Sequence, residues 1–398
     1  MNAHERKVLI TTCFGHFLSH FNMLVFPAVL IPLSSRLEMS MTDTLQLSFW
    51  MYLLFGITAF PWGLVADRWG IQSLFKLFYL GAGICGLIAA WQIDHPTFLM
   101  LALAGIGLFS GIYHPIGLGW ISKDVRQVSL GMGYNGMFGN LGLACAPLMA
   151  GLINWLWGPA QVYIFLGLLN LTGFMLIQRV KKSQPASTES RPDTPGRKDM
   201  IGAFLILLVA MMLGGIVYRG VSVIIPSYFE LKNAELFNDL TRVFQSFLSE
   251  NLLATTITSI IFFIGMLGQY SGGKLASRFN LQICYMIFHL ITIPMAFLMA
   301  YVANLSLIIT ALIYFFFLLG MQPIENTLVA RFTPQKLRHS AYGFKFILTF
   351  GVGSLAVKMV GLVEHQWGIS QVFPLLGVIS CVLVSVVVVL MIKTRASA

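Results

Sequence analysis

Twelve apolar stretches recur along the 398 residues, separated by short polar breaks. Each is long enough to cross about 30 Å of hydrocarbon as a helix. The pattern predicts helices near 8–34, 45–66, 75–93, 97–122, 128–153, 159–179, 200–227, 251–276, 281–302, 305–330, 341–362 and 370–392. Six fall on each side of a polar stretch, 181–199, rich in Ser, Pro and charge. That stretch can bury almost nothing and reads as a disordered cytoplasmic tether. The expected architecture is an all-α membrane protein of two pseudo-symmetric six-helix bundles, 1–180 and 200–398.

Two short segments repeat across the halves. Gly63-Leu64-Val65-Ala66-Asp67-Arg68-Trp69-Gly70 and Gly273-Lys274-Leu275-Ala276-Ser277-Arg278-Phe279-Asn280 stand 210 residues apart, and Gly133-Tyr134 and Gly343-Phe344 keep the same offset. Internal repeats of like orientation are a hallmark of secondary transporters, whose substrate sites lie at the repeat interface near the bilayer midplane.

Composition narrows the class further. The chain is 57% hydrophobic and 10% charged, which excludes a soluble globular protein. A net charge of +10 suits a nucleic-acid partner, but 19 of the 25 Lys and Arg fall in segments that are cytoplasmic when both termini are inside. That is the positive-inside bias of a membrane protein, and no soluble domain exists to present a basic face. The first span carries His16, His20 and Asn22, unlike a cleavable signal. The five cysteines (13, 85, 145, 284 and 381) lie in spans with no C-x-x-C pairing and read as small apolar fillers. Between the seventh and eighth spans, Phe237, Leu240, Phe244 and Phe247 recur at helical spacing among Asp239, Arg242 and Gln245. Two readings fit: an amphipathic helix on the outer membrane surface, or a capped extension of a span.

The segment from Gly63 to Gly70, with its weaker copy after the eighth span, resembles the inter-helix signature of the major facilitator superfamily. The resemblance covers the whole chain. It implies conformational gating by Gly63, Asp67, Arg68, Gly70, Gly273 and Arg278, with Asp67 meeting a neighbouring helix end and Arg68 on the cytoplasmic rim. Most of the trailing basic residues of that signature are replaced by Ile71, Gln72 and Ser73, and its second acid by Ser277. A narrower likeness lies in Gly15-His16-Phe17-Leu18-Ser19-His20, in Tyr113-His114-Pro115 and in the run from Gly131 to Gly142 followed by Ala146-Pro147-Leu148. These are similar to the fosmidomycin-resistance-type drug efflux branch. That branch carries acids near the positions held here by His20 and Ile116. The likeness implies proton-coupled efflux from the bacterial inner membrane, by a protein able to work as a monomer and without a cofactor.

Ionisable residues inside a bilayer are costly and become functional candidates by default. Arg219 lies within the seventh span, and its offset from His20, 199, equals that of Pro226 from Pro27. Guanidinium is a natural bidentate partner for a carboxylate or phosphonate, so Arg219 reads as an anion clamp; a structural arginine bonded to backbone carbonyls is the alternative. Glu325 in the tenth span and Lys345 in the eleventh sit at similar depth and form a candidate pair, either structural or for coupling. His16 and His20 share one helix face, and His114 belongs to a span that lines the cavity in the family arrangement. Three converging histidines suit substrate binding together with Arg219, proton handling, a transition metal or metal chelate such as a siderophore, or plain helix packing. Asn135 and Tyr134 add a polar and an aromatic group for substrate. Gly131, Asn135 and Gly139, four apart, allow close helix approach. H-E-x-x-H, G-x-S-x-G and paired intramembrane aspartates are all missing from the sequence, so no enzyme is expected.

Overall fold

The computed structural model describes residues 1–178, 180, 200–244, 249–333 and 338–395. The tether 181–199 and the positions Gln245 and Phe247 lie outside them. Among the described residues twelve helices are long and apolar enough to cross a membrane. They are Ala3–Ala28, Met41–Ala66, Ile71–Trp91, Pro96–Asp124, Leu130–Trp157, Pro159–Gln178, Ile201–Lys232, Glu250–Ala276, Leu281–Met299, Asn304–Phe332, Ala341–Trp367 and Ile369–Thr394. We refer to these as spans one to twelve.

The chain divides into two units, Met1–Glu189 with Ser249–Ser259, and Ser190–Leu248 with Ile260–Ala398. The start of span eight thus belongs to the first unit, tied there by Asn251 Nδ2 donating to the carbonyl of Ala28 at 2.9 Å. In the first unit, span one packs along span five, span three along span six, and span two against span four. The second unit repeats this scheme: span seven packs along span eleven, and span nine along span twelve. Span eight meets span ten where Gly268 and Gly272 lie against the carbonyls of Phe316 and Gly320. The repeat seen in the sequence is therefore a repeat of helix pairing.

Local chemistry sets where these helices start and stop. Span one begins at Ala3, earlier than hydropathy alone predicts, because Asn2 and Glu5 form a reciprocal capping box that satisfies two end amides. Gly70 turns between spans two and three with φ +78, a conformation that favours glycine. Its counterpart Asn280 does the job differently: at φ −62 its side chain accepts from the amides of Gln282 and Ile283 and caps span nine. The Gly-to-Asn difference between the two repeats is thus a change of turn mechanism.

Span two is divided into Met41–Gln46, Phe49–Ile57 and Ala59–Trp69, and spans four, ten and eleven are interrupted as well. Span four breaks between Pro96–Ser110 and Tyr113–Asp124, just before Pro115, and span ten between Asn304–Gly320 and Gln322–Phe332, just before Pro323. Proline cannot donate to the preceding turn, so each break falls where a helical hydrogen bond is missing. In span eleven, Arg338–Phe346 passes into a π-turn at Ile347–Gly351, a short 3₁₀ turn and then Leu355–Trp367.

Outside the spans, Ala234–Phe244 is helical and strongly amphipathic. Its first turn is held by Asn304, which accepts from the amide of Leu236 at 3.2 Å and donates to Glu235 at 2.7 Å. Arg36 grips Asp94 through Nε (2.6 Å) and a terminal nitrogen (2.9 Å). This fork holds the Asp94 carboxyl below its ordinary range and raises the Arg36 guanidinium. By linkage, the small stability it contributes is present above the ordinary Asp range and is lost as pH falls from there through the lowered value of the folded state.

Candidate functional site

Polar residues gather at the broken helices, one cluster in each unit. In the first unit the break in span four places Tyr113 and His114 at the start of a new helical segment. They face span one, where His16 and His20 lie one turn apart. His16 Nδ1 lies 2.8 Å from the carbonyl oxygen of Asn135 on span five. A carbonyl only accepts, so Nδ1 carries the proton and Nε2 of a neutral His16 presents its lone pair. That lone pair faces His20 Nε2 at 3.1 Å. Tyr113 stacks on the His16 ring at 4.8 Å and donates its hydroxyl to Asn135 Oδ1 at 2.8 Å. His114, 6% exposed, meets the rings of His16 and His20 edge-on at 5.4 and 5.2 Å. One ring nitrogen from each of His16, His20 and His114 lies within 4.8 Å of the others.

The glycines of span five make this possible. A methyl on Gly139 would sit 2.6 Å from Cε1 and Nε2 of His16, and one on Gly142 would collide with the carbonyl of Phe17. Gly131 is less crowded, with Ile121 and Val125 just over 3 Å from such a methyl. Gly139→Ala is therefore expected to rotate His16 away from Asn135 and to destabilise the first unit by about 1–3 kcal/mol, the usual cost of overpacking. A thermal unfolding series in detergent, with Gly133→Ala as the open-space control, checks this. Tyr134 is 45% exposed and, unlike its neighbour Asn135, is not among the residues that contact the cluster.

In the second unit the break in span ten places Glu325 in the first turn of a new segment, where the helix dipole favours an acid. Lys345 occupies the last turn of the segment that precedes the π-turn, the end that favours a cation. The two meet at 2.7 Å, with Glu325 3% and Lys345 7% exposed. Tyr285 of span nine donates to the other carboxylate oxygen at 3.0 Å, and Lys345 also donates to Asn326 Oδ1. His289 packs edge-on to Tyr285 at 4.7 Å and is 1% exposed. Sequence reasoning overlooked Tyr285 and Asn326 and assigned His289 no role; the one available signal was Asn326, directly beside Glu325.

Arg219 lies in span seven, only 2% exposed, and its carbonyl accepts from Ser222. It belongs to the second unit and the histidines to the first.

The residues of the repeated loop motif have a packing role of their own. Gly63 faces Pro115 and Gly273 faces Pro323, with 3.5 and 3.7 Å to a would-be methyl. Each repeat glycine therefore lies against the proline at its unit's helix break. Arg68 and Arg278 are exposed. Asp67 is helical, and its side chain lies outside the described residues.

Comparison with known proteins agrees with this architecture. A peptide transporter of the POT family in complex with sulfate superposes with TM-score 0.74 at 15% identity, over 98% of this chain and 94% of that one. The nucleoside transporter NupG gives 0.71 at 16% identity, over 96% and 99%. A bacterial homologue of the human lysosomal transporter Spinster, inward-facing and unoccupied, gives 0.70 at 14% identity, over 99% and 96%. At these identities the likeness is one of fold. No curated protein matches the sequence. The sequence profile of the Major Facilitator Superfamily matches residues 12–357, most of the chain. The protein belongs to the major facilitator superfamily.

Proposed function

We propose that this protein is a secondary active transporter that moves a small anionic organic solute out of the cell by alternating access, driven by proton entry. It works as a monomer in the bacterial inner membrane with both termini cytoplasmic, and belongs to the fosmidomycin-resistance-type branch. The observation that carries the reading is the burial of Arg219 within a membrane span. Among the described residues of the second unit, the fully charged side chains that are buried are Arg219, Glu325 and Lys345. Glu325 and Lys345 neutralise one another, while Arg219 places a guanidinium inside span seven. A low-dielectric setting strengthens attraction for an anion, and guanidinium holds carboxylates and phosphonates in a two-pronged grip.

Glu325 is the proton carrier in this scheme. Protonating its carboxylate removes the charge that holds Lys345, and the junction ahead of the π-turn is then released. The repeat glycines and Arg68, Asp67 and Arg278 form the gate at the ends of spans two and eight.

The test is a ligand-stabilisation screen on purified protein with phosphonates, carboxylates, siderophores and cationic drugs. A ligand at 100 times its Kd stabilises the folded state by about 2.7 kcal/mol. An anion that raises the melting temperature of the wild type is then followed in proteoliposomes. There Glu325→Gln is expected to leave the anion's binding in place and to remove the dependence of its transport on an imposed pH gradient. Stabilisation by cations alone would overturn the anionic reading, and a gradient dependence that survives in Glu325→Gln would overturn the coupling role.

A further inference from the structure

The three histidines of the first unit present a donor set that the anion reading leaves unused. We propose that His16, His20 and His114 form a binding site for a divalent transition-metal ion of the zinc class, with three imidazole nitrogens as ligands and a fourth position open. This inference stands apart from the anion reading, since it uses no residue of the second unit.

Three features carry it. The first is convergence: one ring nitrogen from each histidine lies within 4.8 Å of the others. Zinc–nitrogen bonds of about 2.0–2.1 Å place tetrahedral donors about 3.3 Å apart. The His16–His20 separation of 3.1 Å already matches, and a small ring rotation closes the rest.

The second is orientation. A metal-bound histidine characteristically donates its other ring N–H to a carbonyl or carboxylate, which fixes the tautomer and makes the ligand nitrogen more basic. His16 has that arrangement without any metal: Nδ1–H points at the Asn135 carbonyl, and Nε2 turns toward the other two rings. Tyr113 stacks against its face, and Gly139 leaves the space its edge needs.

The third is the chemistry of the set. Neutral imidazoles suit zinc, copper, nickel and cobalt, whereas magnesium and calcium want oxygen donors. Three neutral ligands leave the full charge of the ion in place, so the fourth position takes water, hydroxide or a small anion. His16 and His20 are only partly buried, which leaves the ion a way in. When it binds, His20 exchanges its Nε2 proton through solvent for one on Nδ1, which frees the Nε2 lone pair and keeps the ring neutral.

Co²⁺ is the probe, because nitrogen-ligated four-coordinate cobalt absorbs far more strongly in the visible than the hydrated ion. Full-length protein carrying a tag without histidine is titrated with Co²⁺ in detergent, then challenged with Zn²⁺. We expect one Co²⁺ per chain with a strong d–d band, displaced by Zn²⁺. His16→Gln, His20→Gln and His114→Gln should each weaken binding by at least about tenfold, and the exposed His365→Gln should leave it unchanged. Absence of the band, or a band that persists in all three glutamine variants, would overturn the proposal. Should the variants fail to purify, the wild type still decides. Cu²⁺ bound to it should show imidazole nitrogen couplings by electron paramagnetic resonance, and a bound-copper spectrum without nitrogen couplings would refute the site.

Discussion

Lys345→Ala is expected to destabilise the second unit by about 3–5 kcal/mol, the cost of stripping one partner from a buried ion pair. Glu325, 3% exposed beside Lys345, would keep the hydroxyl of Tyr285 as a hydrogen-bond donor but lose its counter-charge. The double variant Lys345→Ala/Glu325→Gln should recover most of the loss, because it removes the stranded charge along with its partner. Recovery separates the electrostatic account from simple loss of packing by the lysine stem, which the double variant does not restore. Thermal unfolding of the four proteins of this cycle, in one detergent and at one pH, yields the coupling directly. Two single variants that add without interaction would show that the pair contributes nothing beyond its contacts.

Arg219→Ala is expected to abolish transport of the anion identified by the ligand screen while leaving the amount of protein in the membrane unchanged. Arg219→Lys keeps the charge and loses the planar fork, so it should retain binding and fall well short of wild-type transport. The two substitutions together sort the possibilities. If alanine transports normally, the guanidinium is not the clamp. If both variants vanish from the membrane, the residue is a structural element of span seven. Quantitative blotting beside solute flux distinguishes these results.

How much of this was legible in the sequence differs by element. All twelve spans were, because about twenty consecutive apolar residues have no comfortable alternative outside a bilayer. The start of span one was not, since its first turn depends on Asn2 and Glu5 capping one another rather than on hydropathy. The candidate pair Glu325 and Lys345 could be proposed because intramembrane charges are rare, but the tyrosine that completes it could not. Tyr285 stands 40 residues from Glu325, and no local pattern links them. The histidines were visible as residues, and their common face followed from the i, i+4 spacing of His16 and His20. The direction in which His16 points was hidden, because a backbone carbonyl on another helix sets it. Pro115 and Pro323 stood in plain view, yet hydropathy reads straight through the breaks beside them.

The π-turn at Ile347–Gly351 divides span eleven into two phases. An α-helix advances about 100° per residue, so one extra residue in a turn shifts everything beyond it by that angle relative to an unbroken helix. Lys345 is phased by the residues before the turn, whereas Val357, Val360 and Val363, all buried, are phased by those after it. A single heptad-like template laid along the whole span would therefore misassign the facing side of one half or the other. The lysine's heading and the valine seam are written in separate frames of the same helix, so either can be altered in evolution without rewriting the other.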